Sequence, residues 1–354
     1  MKICIDCRHI NSSGVGVYLK GCLEYFINSN NTIILLGNEA LIKSQIKYPD
    51  IDIIQCSVKP FSIQEMLFFP GEILGKINKF DIYYSPYFNI PNGIKIPVFT
   101  TIHDIVFPDM PELTSSIGLT ARMFFYRRAA HRSKAIFTVS QFSKSRIEHY
   151  LGKKINVINA SNAVKNPPFQ EKTKNNKKKK ILFIGNIKKH KGLNLLLNAF
   201  TKCQSEGLDY ELVVVGVKDN FRSRDLETAT RLNNLENRKI KFTGYISDEE
   251  KNRLLAEAAL LVQPSLYEGF GYPPLEAMLS GTQVLISDIP VFKEVYDSFP
   301  VVFFKSGNTD DLKLKIMELL YNNEPKSLSL PPLLKEKYSF SKTVKIILNE
   351  FNKS

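Results

Sequence analysis

The sequence is poor in cysteine: five in 354 residues, an odd number thinly spread at Cys4, Cys7, Cys22, Cys56 and Cys203. A disulfide scaffold would be dense in paired cysteines, so a reduced, cytosolic protein is expected. Long apolar runs are also missing, since stretches such as Ile181 to Ile184 and Leu212 to Val215 fall far short of the roughly 18–20 residues that cross a bilayer. Met1-Lys2 runs straight into Ile3-Cys4-Ile5-Asp6 without an apolar leader, which argues against secretion. No Cys/His cluster is spaced for zinc, and the lone C-x-x-C of Cys4 and Cys7 sits on an expected strand, where residues three apart face opposite ways. Gly14 and Gly16 have neither the third glycine nor the later acidic residue of a dinucleotide fingerprint, which leaves a nicotinamide dehydrogenase the weakest reading. What is present is an ordinary globular composition, 44% hydrophobic and 23% charged, long enough for two domains with a core each.

The formal net charge of +13 is unevenly placed: residues 1 to 170 hold 19 Lys and Arg against 12 Asp and Glu, residues 171 to 180 six against one, and the remainder 23 against 22. A domain boundary is expected at Asn166-Pro167-Pro168, followed by a basic linker over 169–180 that ends in Lys177 to Lys180. The basic surplus of the N-terminal half points to an anionic surface or acceptor. Arg122, Arg127, Arg128, Arg132 and Lys134 form a second cluster, interleaved with Met123-Phe124-Phe125-Tyr126 as in an interfacial helix, although helical spacing does not bring all five to one face.

Short β-branched runs alternate with helical patterns. Lys2 to Asp6, Ile33 to Leu36, Asp52 to Ile54, Ile82 to Tyr84, Val98 to Ile102 and Ala135 to Val139 read as strands buried on both faces of a parallel sheet, with Ser12 to Gly16 a glycine-rich turn. A second series follows at Lys180 to Ile184, Glu211 to Val215, Lys241 to Thr243, Leu260 to Gln263, Val284 to Ile286 and Val301 to Phe303. The fold class is therefore α/β, with two tandem doubly wound Rossmann-like domains over 1–168 and 181–337, and a C-terminal helix over 338–354 that could return to the first domain. Ligands of such sheets bind outside the carboxyl ends of the strands, and facing domains would enclose a cleft.

The most informative stretch is Pro264-Ser265-Leu266-Tyr267-Glu268-Gly269-Phe270-Gly271-Tyr272-Pro273-Pro274-Leu275-Glu276-Ala277-Met278, which follows a strand and opens a helix. Pro273 and Pro274 suit a first helical turn, while Gly269 and Gly271 allow a ligand close to the backbone. The free amides and the positive dipole end match a pyrophosphate. Glu276 is expected in the first turn, where its carboxylate could accept from both hydroxyls of a ribose, and Glu268 could reach the other end of the same ligand.

Glu268 and Glu276, with seven residues between them, resemble the paired-glutamate motif of glycosyltransferase family 4, retaining nucleotide-sugar enzymes of the GT-B fold that include O-antigen and polysaccharide mannosyltransferases. The opening Met1 to Arg8 with Ser13 to Gly16, then Thr101-Ile102-His103-Asp104, Thr138 to Lys144, Gly185 to Gly192, Gly244-Tyr245-Ile246-Ser247 and Ser287 to Pro290 are similar to further family segments in the same order. The resemblance implies that Glu276 binds the donor ribose and Glu268 the transferred sugar. It places Gly16, Gly185, Lys188, Lys191, Tyr245, Ile246 and the amides of Gly269, Phe270 and Gly271 around the donor. His103, Glu268 and Lys191 become the catalytic candidates, and Gly14 and Asp104 the acceptor side. Asp104 could equally orient His103 or cap the next element. Two departures stand out: Asn186 and His190 occupy positions where many relatives carry an arginine, so Lys188 or Lys189 would supply the second cation, and Ser161-Asn162-Ala163-Val164 replaces an Asn-Gly-Val turn.

The implied function is transfer of a hexose, mannose from GDP-mannose as first choice, to a growing lipid-linked O-antigen or capsular glycan. By the same resemblance no metal or cofactor is required and no nucleic acid is a partner. The enzyme would be cytoplasmic or peripheral at the inner face of an anionic membrane. A nucleotide-sugar epimerase or a phosphorylase of similar fold, and a basic membrane-surface module without catalysis, are the alternatives.

Overall fold

The computed structural model describes residues 1–164, 177–216, 239–321 and 337–354. Asn166 to Pro168 and the linker up to residue 176 lie outside them. The chain forms two compact units, Met1–Lys165 together with Tyr338–Ser354, and Asn166–Lys337.

The first unit is a seven-stranded parallel sheet of β1 (Lys2–Asp6), β2 (Thr32–Gly37), β3 (Ile53–Gln55), β4 (Ile82–Ser85), β5 (Val98–Thr101), β6 (Ala135–Thr138) and β7 (Val157–Asn159), in the order β3-β2-β1-β4-β5-β6-β7. β1, β4, β5 and β6 are almost wholly buried because helices cover both faces, as their continuous apolar runs require. β7 is absent from the sequence reading: three residues joined to β6 at Ile136↔Val157 carry too little periodicity to register.

Ser12 to Gly16 is not a turn, which corrects the expectation. The helix Ser13–Ile27 begins there, with Ser12 as its extended cap and Gly14 and Gly16 in its first turn. Gly16 is needed by the chain itself, since a Cβ there would lie 2.4 Å from the Ile10 carbonyl oxygen. Nothing crowds Gly14.

The helix Phe340–Phe351 belongs to the first unit and packs on Ser13–Ile27. Phe340 lies where a Cβ at Gly21 would stand. At the other end the Phe351 ring sits 4.7 Å from Phe99, 5.6 Å from Tyr84 and 6.1 Å from Phe137. Thr343 Oγ1 donates to the carbonyl of Ser161, whose φ of 45° makes it the left-handed residue of the Ser161 to Val164 segment.

The second unit is a six-stranded parallel sheet of β8 (Lys178–Ile184), β9 (Glu211–Val215), β10 (Ile240–Gly244), β11 (Ala258–Gln263), β12 (Gln283–Ser287) and β13 (Val302–Phe304), ordered β10-β9-β8-β11-β12-β13. β8 starts at Lys178, so the last residues of the expected linker belong to a strand. Lys178 and Lys180, two apart on one face of the strand, both reach Glu257 at 2.8 and 3.4 Å, and Lys177 Nζ donates to Thr282 Oγ1 at 2.6 Å. Lys178 and Lys179 stay about half exposed, but Lys177, Lys178 and Lys180 are held by partners within the second unit. Strand order reverses between β1 and β4 in one sheet and between β8 and β11 in the other, and the carboxyl ends at these switch points are where such sheets bind ligands.

Truncating Phe351 to alanine should cost the first unit about 3–5 kcal/mol, as other large-to-small changes of buried aromatics do. In calorimetry the first unit's transition should fall by many degrees while the second unit's stays in place.

Candidate functional site

The candidate donor site is built from the loops that follow β8 and β11. A short helical turn, Lys189–Lys191, ends at Gly192 in the left-handed region at φ 71°. A side chain at Gly192 could not fit, because its Cβ would stand 1.9 Å from the carbonyl oxygen of Pro264. Leu266 N donates to the His190 carbonyl at 2.8 Å, locking the two loops together. In consequence Lys191 Nζ sits 2.6 Å from Glu268 Oε2, with side chains only 21% and 9% exposed. The other Glu268 oxygen accepts from Ser265 Oγ at 2.8 Å, and Ser265 Oγ accepts in turn from Gln263 Nε2 at 3.1 Å. Both titratable groups predicted to be catalytic in this unit are thus joined in one ion pair, oriented from behind by a serine that sequence reasoning did not single out.

Beyond Glu268 the chain turns at Gly271, with φ 92°, into the helix Tyr272–Leu279. Tyr296 OH donates to the Gly271 carbonyl, and a Cβ at Gly271 would meet the Phe292 ring at 2.5 Å. Phe270 is buried. Pro273 and Pro274 occupy the second and third helical positions, where no amide hydrogen is missed. Counting from Tyr272, Glu276 is the fifth residue and lies in the second turn, not the first as expected. It is also paired: Lys251 of the helix Asp248–Glu257 places Nζ 2.8 Å from Glu276 Oε1 and 3.5 Å from Asp248. Burial opposes the charge on Lys251, but the Glu276 carboxylate and then Asp248 outweigh it and hold its pKa above the ordinary lysine value.

The remaining donor candidates are dispersed. Gly185 N donates to the Val215 carbonyl, and a Cβ on Gly216 would lie 2.2 Å from the Gly185 oxygen, so this crossing is sealed by backbone. Lys188 is exposed at the entry to the Lys189–Lys191 turn. Tyr245 is 86% exposed beyond the edge strand β10, with Ile246 half-buried beside it, two strands away from the β8/β11 switch point. His190, the departure noted above, is kept neutral: burial first, then the charges of Lys191 and Lys188, lower its pKa to about 3.

In the first unit, His103 follows β5 and is half-buried. Its Nε2 lies 2.9 Å from the Pro86 carbonyl, which can only accept, so the proton resides on Nε2 and Nδ1 keeps its lone pair. The Tyr18 ring stands edge-on at 4.8 Å. Burial is the main reason that the His103 pKa falls to about 4, and His9 adds to it against the bond to Pro86. Asp104 Oδ1 accepts from the Val106 amide at 3.2 Å, at the start of the helix Val106–Asp109, whose cap residue is Ile105.

Sequence reasoning also missed a buried charge network at the β1/β4 switch point. Arg8 Nη2 lies 2.6 Å from both Asp6 Oδ2 and Glu65 Oε1, with all three side chains at most 3% exposed. Tyr83 OH donates to Asp6, and Asn89 Nδ2 to both carboxylates. Burial raises the Asp6 pKa, but Arg8 overrides it and keeps the carboxylate below its usual range. Glu65 lies 57 residues from Arg8, and nothing in the sequence links them.

Because His103 and His190 bind protons less readily folded than at the unperturbed 6.5, the unfolded chain takes up protons first as pH falls. Their contribution is complete above about pH 6.5 and lost toward pH 4 and 3. Urea midpoints should drop between pH 7.5 and 4.5, and His103→Gln with His190→Gln should flatten that dependence.

Comparison with known proteins agrees with this geometry. Residues 164–329 match the family described as Glycosyl transferases group 1. The chain is homologous to O-antigen chain mannosyltransferase B of Escherichia coli, 28% identical over 279 residues that cover 73% of this chain and 70% of that protein. It is similar to O-antigen chain mannosyltransferase RfbU of Salmonella typhimurium, 33% identical over 202 residues, 55% of this chain and 53% of that one. Among solved structures, Anabaena Alr3699/HepE in complex with UDP-glucose superposes with a TM-score of 0.77 at 15% identity over the full length of both chains. Sucrose-phosphate synthase from Thermosynechococcus elongatus gives 0.74 at 15% identity over 100% of this chain and 98% of that one. At that identity the likeness is one of fold, that of GT-B glycosyltransferases with two Rossmann-like parallel sheets.

Proposed function

We propose that the chain is a hexosyltransferase that takes a sugar from a nucleotide diphosphate donor, GDP-mannose as first choice, and passes it to a hydroxyl of a growing glycan. The observation that carries this reading is the Lys191–Glu268 pair at the β8/β11 switch point, next to the helix that begins at Tyr272. The group 1 match over residues 164–329 and the homology to O-antigen mannosyltransferases support it. A pyrophosphate beside the start of that helix meets a positive dipole end and an ammonium together. Lys191 then exchanges its carboxylate for phosphate oxygens, and Glu268, still held by Ser265, turns its released oxygen to hydroxyls of the sugar. Glu276 keeps Oε2 for the ribose diol while Lys251 holds Oε1.

In this proposal transfer proceeds with retention, in a family 4 manner, on the face the diphosphate leaves. The departing oxygen removes the proton of the incoming hydroxyl. Lys191 and the helix dipole compensate the charge that develops on the diphosphate, so the reaction needs no metal. His103, a neutral imidazole with a free Nδ1 lone pair, is assigned to the transferred sugar. The acceptor is a lipid-linked O-antigen or capsular intermediate.

Single-turnover transfer from GDP-mannose tests the assignment. Lys191→Ala should slow the chemical step by roughly 10²–10³-fold, the usual loss when a stabiliser of developing charge is removed. Glu276→Ala should weaken donor binding by roughly 10–100-fold, the cost of a charged hydrogen bond. Near-normal rates and donor affinity in both variants would reject the reading.

A further inference from the structure

The helix Ser116–Arg132 carries a feature that glycosyl transfer does not use. A groove of about 810 Å³ runs along it, lined by Leu119, Met123, Phe124, Arg127, Arg128 and Arg132. The five-residue basic cluster seen in the sequence is divided here. Arg122 folds inward over the Phe107 ring at 3.9 Å, whereas Arg127, Arg128 and Arg132 all reach the groove. Arg128 and Arg132 each give one N–H to a carbonyl, of Ile90 and Ile94, which aims the guanidinium and leaves further donors on each. Among the described residues no carboxylate pairs with any of the three arginines. Burial and then the neighbouring charge of Arg132 depress the Arg128 pKa and outweigh the opposite pull of Glu65.

Apolar side chains stand exposed beside these charges. Phe124 is 53% exposed and Ile117 83% on the same helix, while Ile63, Leu67 and Phe68 are 73%, 64% and 71% exposed on and just after the helix Ile63–Leu67. The two segments adjoin. Asn92, a groove residue, donates its amide to the Glu65 carbonyl, and the Phe61 ring lies 4.9 Å from Phe125. Five large apolar side chains in water next to three guanidiniums that no carboxylate contacts directly among the described residues form a surface that neither water nor a neutral protein face satisfies. Charge complementarity selects the occupant: phosphates over the arginines with hydrocarbon just beneath them, the layering of an anionic phospholipid bilayer.

We propose that this face of the first unit, Ile63–Phe68 with the Arg127/Arg128/Arg132 groove, docks on the surface of an anionic phospholipid membrane. Phe68 and Phe124 enter the headgroup boundary and the guanidiniums take lipid phosphates. The inference stands on unit 1 alone and does not depend on the donor reading.

The chain contains no tryptophan, so Phe68→Trp and Phe124→Trp each create a lone fluorescent reporter in the full-length protein. With vesicles of phosphatidylcholine containing about 30% phosphatidylglycerol, a mole fraction that gives a strongly negative surface, both reporters should shift to the blue and be quenched by brominated lipid. Pure phosphatidylcholine should give neither response. Arg127 makes no hydrogen bond or ion pair among the described residues, so Arg127→Glu should leave the melting temperature unchanged. It should lower vesicle affinity roughly tenfold or more, and Ile63→Ser with Leu67→Ser should do so with the charges intact. Reporters that stay unshifted on anionic vesicles, equal binding to neutral and anionic vesicles, or full binding by the Arg127→Glu protein would overturn the proposal. So would tight binding to single-stranded RNA without vesicle binding.

Discussion

The candidate site of the second unit depends on one close approach, that of Gly192 to the Pro264 carbonyl. No side chain fits between them, and the Leu266–His190 hydrogen bond closes the contact. Two loops that leave neighbouring strands in the same direction are thereby pressed together until an ammonium and a carboxylate meet at 2.6 Å. With the pair only partly exposed, the partial desolvation of each charge is met by the other and by Ser265. In the proposed reading, a diphosphate competes with that carboxylate for Lys191.

The two units solve the problem of charge at a switch point differently. In the second, Lys191 pairs with Glu268, Lys251 pairs with Glu276 and more distantly with Asp248, and both lysines remain within reach of water. In the first, Arg8 is shared between two carboxylates in a dry interior, with Tyr83 and Asn89 completing the hydrogen bonds. That arrangement fixes the loop after β1 and suits a structural role. Breaking it would leave a buried charge unpaired, one of the costlier defects a core can carry. The histidines follow the same logic: His103 and His190 are both held neutral, as donors or acceptors of hydrogen bonds and not as cations.

Local rules accounted for most of the elements. Short apolar runs gave eleven of the strands to within a residue or two at their ends, and Lys180 to Ile184 gave the core of β8 but not its start at Lys178. The rule failed where the signal was too short, at Val157–Asn159, and where a helix absorbed a glycine-rich segment, at Ser13–Ile27. The lysines before Ile181 looked like linker because composition cannot show that Glu257 waits for two of them.

By itself, the sequence determined the two parallel sheets, the glycine bend at Gly269 to Gly271, the carboxylates on either side of it and the lysine after β8. Each of these follows from residues near one another in the chain, where periodicity and turn chemistry act. Tertiary structure alone decided that Glu268 is paired with Lys191 and Glu276 with Lys251, that Asp104 holds the Val106 amide, and that Gly16 lies against the Ile10 carbonyl. It also decided that Glu65 crosses 57 residues to reach Arg8. Those outcomes depend on which groups packing brings within hydrogen-bond distance, and no spacing along a chain encodes a distance through space.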